Sequence, residues 1–214
     1  MSFFGHSSFG VPRMRPLSSR RSSVVSVLDI GSSKVVCMIG RLTPRDESEL
    51  LPGRTHRIEI IGIGHQKSRG MKAGVIADLE AVEGAVRLAV DAAERMAGLT
   101  VESLIVNVSA GRLKSDIYSG AVDIGGSEVQ PGDLKRALAA ASRSALASDR
   151  LMLHALPTSF TLDGERGIAD PTGMFGDQLG VGMHVLSAER APLKNVELCI
   201  NRAHLSVETM VATP

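Results

Sequence analysis

The chain has 214 residues, enough for one or two modest domains with a real core, and its 43% hydrophobic and 22% charged residues are ordinary for a globular protein. Aromatic residues make up only 3%, with no Trp, one Tyr and five Phe; the core must therefore come from Val, Ile, Leu, Ala and Met, and base-stacking modules are disfavoured, so no nucleic-acid partner is expected. The net charge of +1 is uneven: residues 1–24 carry Arg13, Arg15, Arg20 and Arg21 without any acid, which leaves −3 for residues 25–214.

Residues 1–23 are rich in Ser, Gly and Arg, lack the apolar run of a signal peptide and show no amphipathic period, which predicts a disordered basic tail. From Val24 a β-branched run leads to Asp29. The polar turn Ile30-Gly31-Ser32-Ser33-Lys34 follows, and Val35 to Ile39 resume a strand. Thr43 to Arg57, with Pro44, Pro52 and Gly53, reads as an exposed loop before a third strand, Ile58 to Ile63. Three successive antiparallel strands are expected.

A glycine-punctuated loop, Ser68 to Gly74, precedes a helix capped by Asp78. Glu80 lies in its first turn, Leu79, Val82, Val86, Val90, Ala93 and Met96 form its apolar stripe, and Gly98 ends it. Val101 to Ser109 reads as a strand, followed by a polar stretch to Ser127. Pro131 opens a second helix with Leu134, Leu138, Ala141 and Ala145 facing inward. Strands are predicted at Leu151–Leu162 and Val181–Leu186, joined by a loop with Gly164, Gly167, Pro171, Gly173 and Gly176. A helix from Pro192 and a last strand, Leu205 to Val211, complete the order. No run approaches the roughly 18 continuous apolar residues of a membrane-spanning helix. Cys37 and Cys199 sit in apolar surroundings outside any C-x-x-C pair, which argues against a zinc site or a disulfide framework.

The chemistry centres on Asp29-Ile30-Gly31-Ser32-Ser33-Lys34. A hairpin turn with one glycine and two hydroxyl residues can aim successive backbone N–H groups at a phosphate, because Gly31 permits a backbone approach that a side chain would obstruct. Asp29 suits a hydrated Mg²⁺ bridging the phosphates, since magnesium keeps several waters and takes one or two carboxylates. Lys34 adds a point charge if its side chain turns towards the same oxygens. Taken alone, the segment is equally an ordinary hairpin turn. No histidine constellation and no general base are evident. Asp123-Ile124-Gly125-Gly126 imitates a second phosphate motif but reads as a Gly-rich turn between a strand and the helix at Pro131.

The segment VVSVLDIGSSKVVCMIG, followed by IEIIGIGHQKSRGMKAGVIADLEAVEGAVRLAVDAAERMAG, closely resembles the opening of the FtsA family, the actin-like proteins of bacterial division. The run HALPTSFTLDGERGIADPTGMFGDQLGVGMHVL continues the resemblance, which covers essentially Val24 to Pro214. It implies an α/β, actin-like (ribonuclease-H-like) first subdomain over residues 24–100 and 188–214, interrupted by a small inserted β-α-β-β interaction module at 101–187, with the second half of the actin fold absent. It also implies that Asp29, Gly31, Ser32, Ser33 and Lys34 form the first phosphate loop for ATP with Mg²⁺, Asp29 holding the metal through water. By the same resemblance the whole protein is a scaffold, at most a weak ATPase, that self-polymerises and helps assemble the Z ring. Its expected partners are FtsZ, through the missing half, and later division proteins, through 101–187. It would sit on the cytoplasmic face of the inner membrane at the division site through a C-terminal helix that this chain lacks. A small-molecule kinase of the same superfamily and an inactive truncated product are the alternative readings.

Overall fold

The computed structural model describes residues 18, 20–45, 55–144 and 149–212. Most of the basic tail expected over 1–23 and most of the loop expected between Thr43 and Arg57 therefore lie outside the described residues. The chain begins with strands β1 (Ser23–Ile30), β2 (Lys34–Pro44) and β3 (His56–Lys67), the two-residue pair β4 (Met71–Lys72) and β5 (Val75–Ile76), helix α1 (Leu79–Ala97) and strand β6 (Ser103–Asn107). It continues with β7 (Lys114–Asp123), α2 (Pro131–Ser144), β8 (Arg150–Leu162), β9 (Glu165–Ile168), β10 (Gln178–Glu189), α3 (Arg190–Arg202) and β11 (Ser206–Val211). The described residues fall into two compact units: one comprises those up to Gly111 together with those from Arg190 onward, the other Arg112–Glu189.

The first unit is built on a five-stranded sheet in the order β11-β6-β1-β2-β3. The three expected antiparallel strands are present as β1, β2 and β3, while β1 and β11 both run parallel to β6. Sequence reading assigned the strand near Ser103 to the inserted module; it lies instead in this sheet, between β1 and β11. Its alternation of buried Leu104 and Val106 with half-buried Ser103, Ile105 and Asn107 suits a central strand of either unit, so only the pairing decides.

Helix α1 starts where Asp78 Oδ1 accepts the Ala81 amide at 3.1 Å and stops at Gly98 in the left-handed conformation, φ 68°. Its buried stripe is Val82, Ala85, Val86, Ala89, Val90 and Ala93; Met96, expected inside, is 64% exposed. The stripe is alanine-rich because the helix rests on backbone. A Cβ on Gly64 would fall on the Ala89 carbonyl oxygen, and one on Gly62 on that of Ala93. Glu83 joins the two helices of this unit, ion-pairing with Arg87 at 2.9 Å and with Arg202 of α3 at 2.8 Å. The loop from Ser68 to Gly74 folds into the β4–β5 hairpin, and the Gly70 carbonyl accepts both the Ala77 and Asp78 amides, locking the hairpin onto the helix start.

The second unit is an antiparallel sheet in the order β7-β10-β8-β9 with α2 packed on one face. Leu134, Leu138 and Ala141 of α2 are buried as expected, against Met152 and Ala155 of β8 and Leu179, Val181, Met183 and Val185 of β10; Ala145 lies outside the described residues. The order is therefore β-α-β-β-β, with a different first strand and with the extra strand β9 formed from the loop expected between Leu162 and Val181. β7 comes from the stretch read as polar loop, because its burial alternates half-buried and exposed without one fully buried residue. The imitation motif at Asp123–Gly126 is a closed turn: Asp123 Oδ1 accepts the Gly125 amide at 2.8 Å, and the Ile124 amide donates to Asp177 O at 2.7 Å.

Both cysteines are free and buried, and burial pushes each thiol up to about 11. We predict that neither reacts with iodoacetamide at pH 8 in the native protein, and that both do in denaturant; rapid labelling without denaturant would contradict their burial. Because the folded thiols titrate above their ordinary value of 9.0, their contribution to stability is complete below pH 9 and is lost as the pH rises to about 11. Gly64→Ala is expected to lower stability by on the order of 3 kcal/mol, read from the urea midpoint, since the methyl must displace helix backbone.

Candidate functional site

Strand β1 delivers Asp29 to the carboxyl end of the parallel part of the sheet, where open α/β sheets place their ligands. Asp29 is half-buried, and its Oδ1 accepts the Asn107 Nδ2 hydrogen at 2.8 Å from the paired position on β6. One carboxylate oxygen is thereby fixed in direction by a neutral amide. Val108 N donates to Val211 O at 2.7 Å, so β11 ends beside the same rim.

Beyond Asp29 the chain turns through Gly31, Ser32 and Ser33. The Gly31 amide donates to Lys34 O at 2.9 Å, and a Cβ on Gly31 would stand 3.1 Å from that oxygen, so glycine suits the tight closure. Ser32 and Ser33 are exposed, and among the described residues their amides have no acceptor within the protein. Two adjacent amides without a protein acceptor, on two exposed serines at a turn, are the kind of donors that anion-binding turns use. The Ser33 carbonyl accepts the Ser68 amide at 3.0 Å, which ties the turn to the end of β3.

Strand register settles the direction of the charged side chains. Asp29 pairs with Val36, and Lys34, two residues earlier on β2, shares the face of Val36. Lys34 pairs with Lys67 of β3, so Asp29, Asn107, Lys34 and Lys67 all lie on one face. Leu28, Val35, Cys37 and Gly64 occupy the opposite face, beneath α1. The structure therefore gathers all five residues picked from sequence into one hairpin and turns Lys34 to the side of Asp29. Sequence reading missed Asn107 and Lys67. For Asn107 a signal existed, a lone amide closing the apolar run Ser103–Asn107, but its partner depends on a pairing between strands 78 residues apart. No group of three or more His, Cys, Asp or Glu side chains able to hold a metal exists among the described residues, so a cation here would rest on Asp29, water and ligand oxygens.

A family model described as the SHS2 domain inserted in FTSA matches residues 110–187. Curated relatives named cell division protein FtsA include one from Rhizobium meliloti, 73% identical, and one from Agrobacterium fabrum, 71% identical, each covering the whole chain and 48% of the relative. The Pseudomonas aeruginosa protein of that name is 32% identical over 91% of the chain and 44% of its own length. The chain thus spans about half the length of the curated relatives it matches. Among solved structures, a chain of the PilM-PilN type IV pilus biogenesis complex aligns with 89% of this chain and 47% of its own, at a TM-score of 0.52 and 12% identity, a likeness of fold alone. The fold is the α/β, actin-like arrangement interrupted by a small sheet-and-helix insert, and the chain belongs to the FtsA family of cell division proteins.

Proposed function

We propose that this chain forms one jaw of a nucleotide clamp in a cell-division scaffold of the FtsA type. The observation that carries the reading is the Gly31–Ser33 turn, with its unoccupied amides, set beside a carboxylate that Asn107 orients at the carboxyl end of β1. In this reading Gly31, Ser32 and Ser33 give backbone and hydroxyl donors to the phosphates of ATP, and Lys34 gives a counter-charge. Asp29 would hold a hydrated Mg²⁺ through water, and the ion would supply charge neutralisation at the phosphates. The residues present fit such a group: one fixed carboxylate oxygen, an anion-binding turn and no competing protein cage among the described residues. No described side chain at the turn is placed as a general base, which fits slow hydrolysis and a structural role for the nucleotide.

The relatives' names support a place in the division machinery. Within that reading, assembly of the Z ring with FtsZ, self-polymerisation, and attachment at the inner membrane are assigned to the whole protein. Contact with later division proteins is assigned to the Arg112–Glu189 unit. A small-molecule kinase is disfavoured because the Arg112–Glu189 unit matches the insert described for FTSA. No helix among the described residues is long and apolar enough to cross a membrane.

Two measurements test the clamp. A longer FtsA containing this sequence should gain about 2.7 kcal/mol of thermal stability with MgATP at about 100 times its dissociation constant, and Asp29→Ala should abolish the gain. The present chain should gain far less, and equal stabilisation of the two would sink the two-jawed reading. Asn107→Ala should weaken MgATP binding by the longer protein roughly threefold to tenfold through the loss of one hydrogen bond to a charged group. Unchanged affinity would show that the amide does not position Asp29.

A further inference from the structure

We infer that Lys67 is a second phosphate-binding lysine, forming with Lys34 a paired cationic clip for an oligophosphate chain. The inference rests on the phosphate-loop reading above and extends it to a residue outside the β1–β2 turn.

Lys34 and Lys67 are directly opposite each other in the β2–β3 ladder and both are exposed. Directly opposed residues share a face, with Cβ atoms about 5 Å apart, and like charges in that position are destabilising. A strand pair that served only to hold the sheet would gain from an acid at either place. Elsewhere this ladder has such a pair: Arg41 is directly opposite Glu59, with the guanidinium 3.8 Å from the carboxylate. Neither Lys34 nor Lys67 has an ion pair or a side-chain hydrogen bond among the described residues.

Two backbone constraints place the pair at the turn. Lys34 is the first residue after Ser33, and Lys67 immediately precedes Ser68, whose amide holds the Ser33 carbonyl at 3.0 Å. The end of β3 is thereby pinned to the turn that offers its free amides. Ser68 Oγ is shielded from solvent and has no hydrogen-bond partner, a polar group left unmatched beside the same turn. The face that carries both lysines also carries Asp29, two residues before Gly31. A ligand spanning the turn therefore meets amides at its centre, two ammonium groups on one flank and a carboxylate on the other. A single phosphate needs no second lysine. A diphosphate or triphosphate, with charge spread over several oxygens and a bridging cation, matches the whole array.

The test uses a longer FtsA containing this sequence, with inorganic tripolyphosphate and MgATP as separate probes at low ionic strength, followed by phosphorus NMR and thermal melting. Wild type should bind tripolyphosphate and melt higher in its presence. Lys67→Gln should bind roughly tenfold more weakly, as should Lys34→Gln, while Lys135→Gln on the second unit matches wild type. Without ligand, Lys67→Gln should melt no lower than wild type, because a like-charge pair has been relieved; that readout separates a binding lysine from one needed for folding. If MgATP is weakened by Lys67→Gln in the same proportion as tripolyphosphate, the shared phosphate chain is the feature recognised. Wild-type affinity in Lys67→Gln together with loss of binding in Gly31→Val would overturn the role of Lys67 and leave the phosphate loop standing. Absence of tripolyphosphate binding to the wild type would overturn both.

Discussion

Strand β1 lies between an antiparallel neighbour, β2, and a parallel one, β6, and this double pairing holds the site together. The antiparallel side makes the tight turn possible, because only a hairpin brings Gly31, Ser32 and Ser33 into immediate continuation of a strand. The parallel side gives the turn its partner, since Asp29 and Asn107 arrive at the same level only when β1 and β6 run in the same direction. Shifting β1 by one residue would turn Asp29 towards α1 and put Leu28 in its place. The fully buried Leu28, Val35 and Cys37 oppose that shift, so the core under α1 fixes the direction of the carboxylate.

The close seat of α1 on Gly62 and Gly64 serves the same end. With glycines under the Ala89 and Ala93 carbonyls, β3 is pressed against the helix backbone and its register with β2 has little freedom. That register aligns Lys67 with Lys34 and brings Ser68 to Ser33. The packing that stabilises this unit and the placement of its charges are one set of constraints.

What could be read from the chain was local. The hairpin at Asp29–Lys34, the cap at Asp78 and the stop at Gly98 depend on neighbours in sequence, and their signals were visible. Asn107 joins the site through a parallel pairing, and parallel partners leave no mark on each other's sequence beyond apolar character. Strand β7 stayed hidden because an edge strand with one half-buried face carries Ser, Asp and Gly where a buried strand has Val or Ile, and Met96 looked internal because helical spacing does not say where the helix overhangs its sheet. The resemblance to the FtsA family supplied the existence of an insert. Its first strand came only from the pairing of β7 with β10.

The excursion from Arg112 to Glu189 begins and ends at one place. Lys114 pairs with Ser187, the Arg112 guanidinium lies 3.3 Å from the Glu189 carboxylate, and Arg150 Nη2 donates to Arg112 O at 2.8 Å. For the rest of the chain, 78 residues thus amount to a short bridge between β6 and α3. The entropy of bringing β11 alongside β6 is set by the small gap between those two ends once the excursion has folded, and not by its length. Such an arrangement lets the excursion lengthen, shorten or change its surface during evolution without disturbing the strands on either side of it.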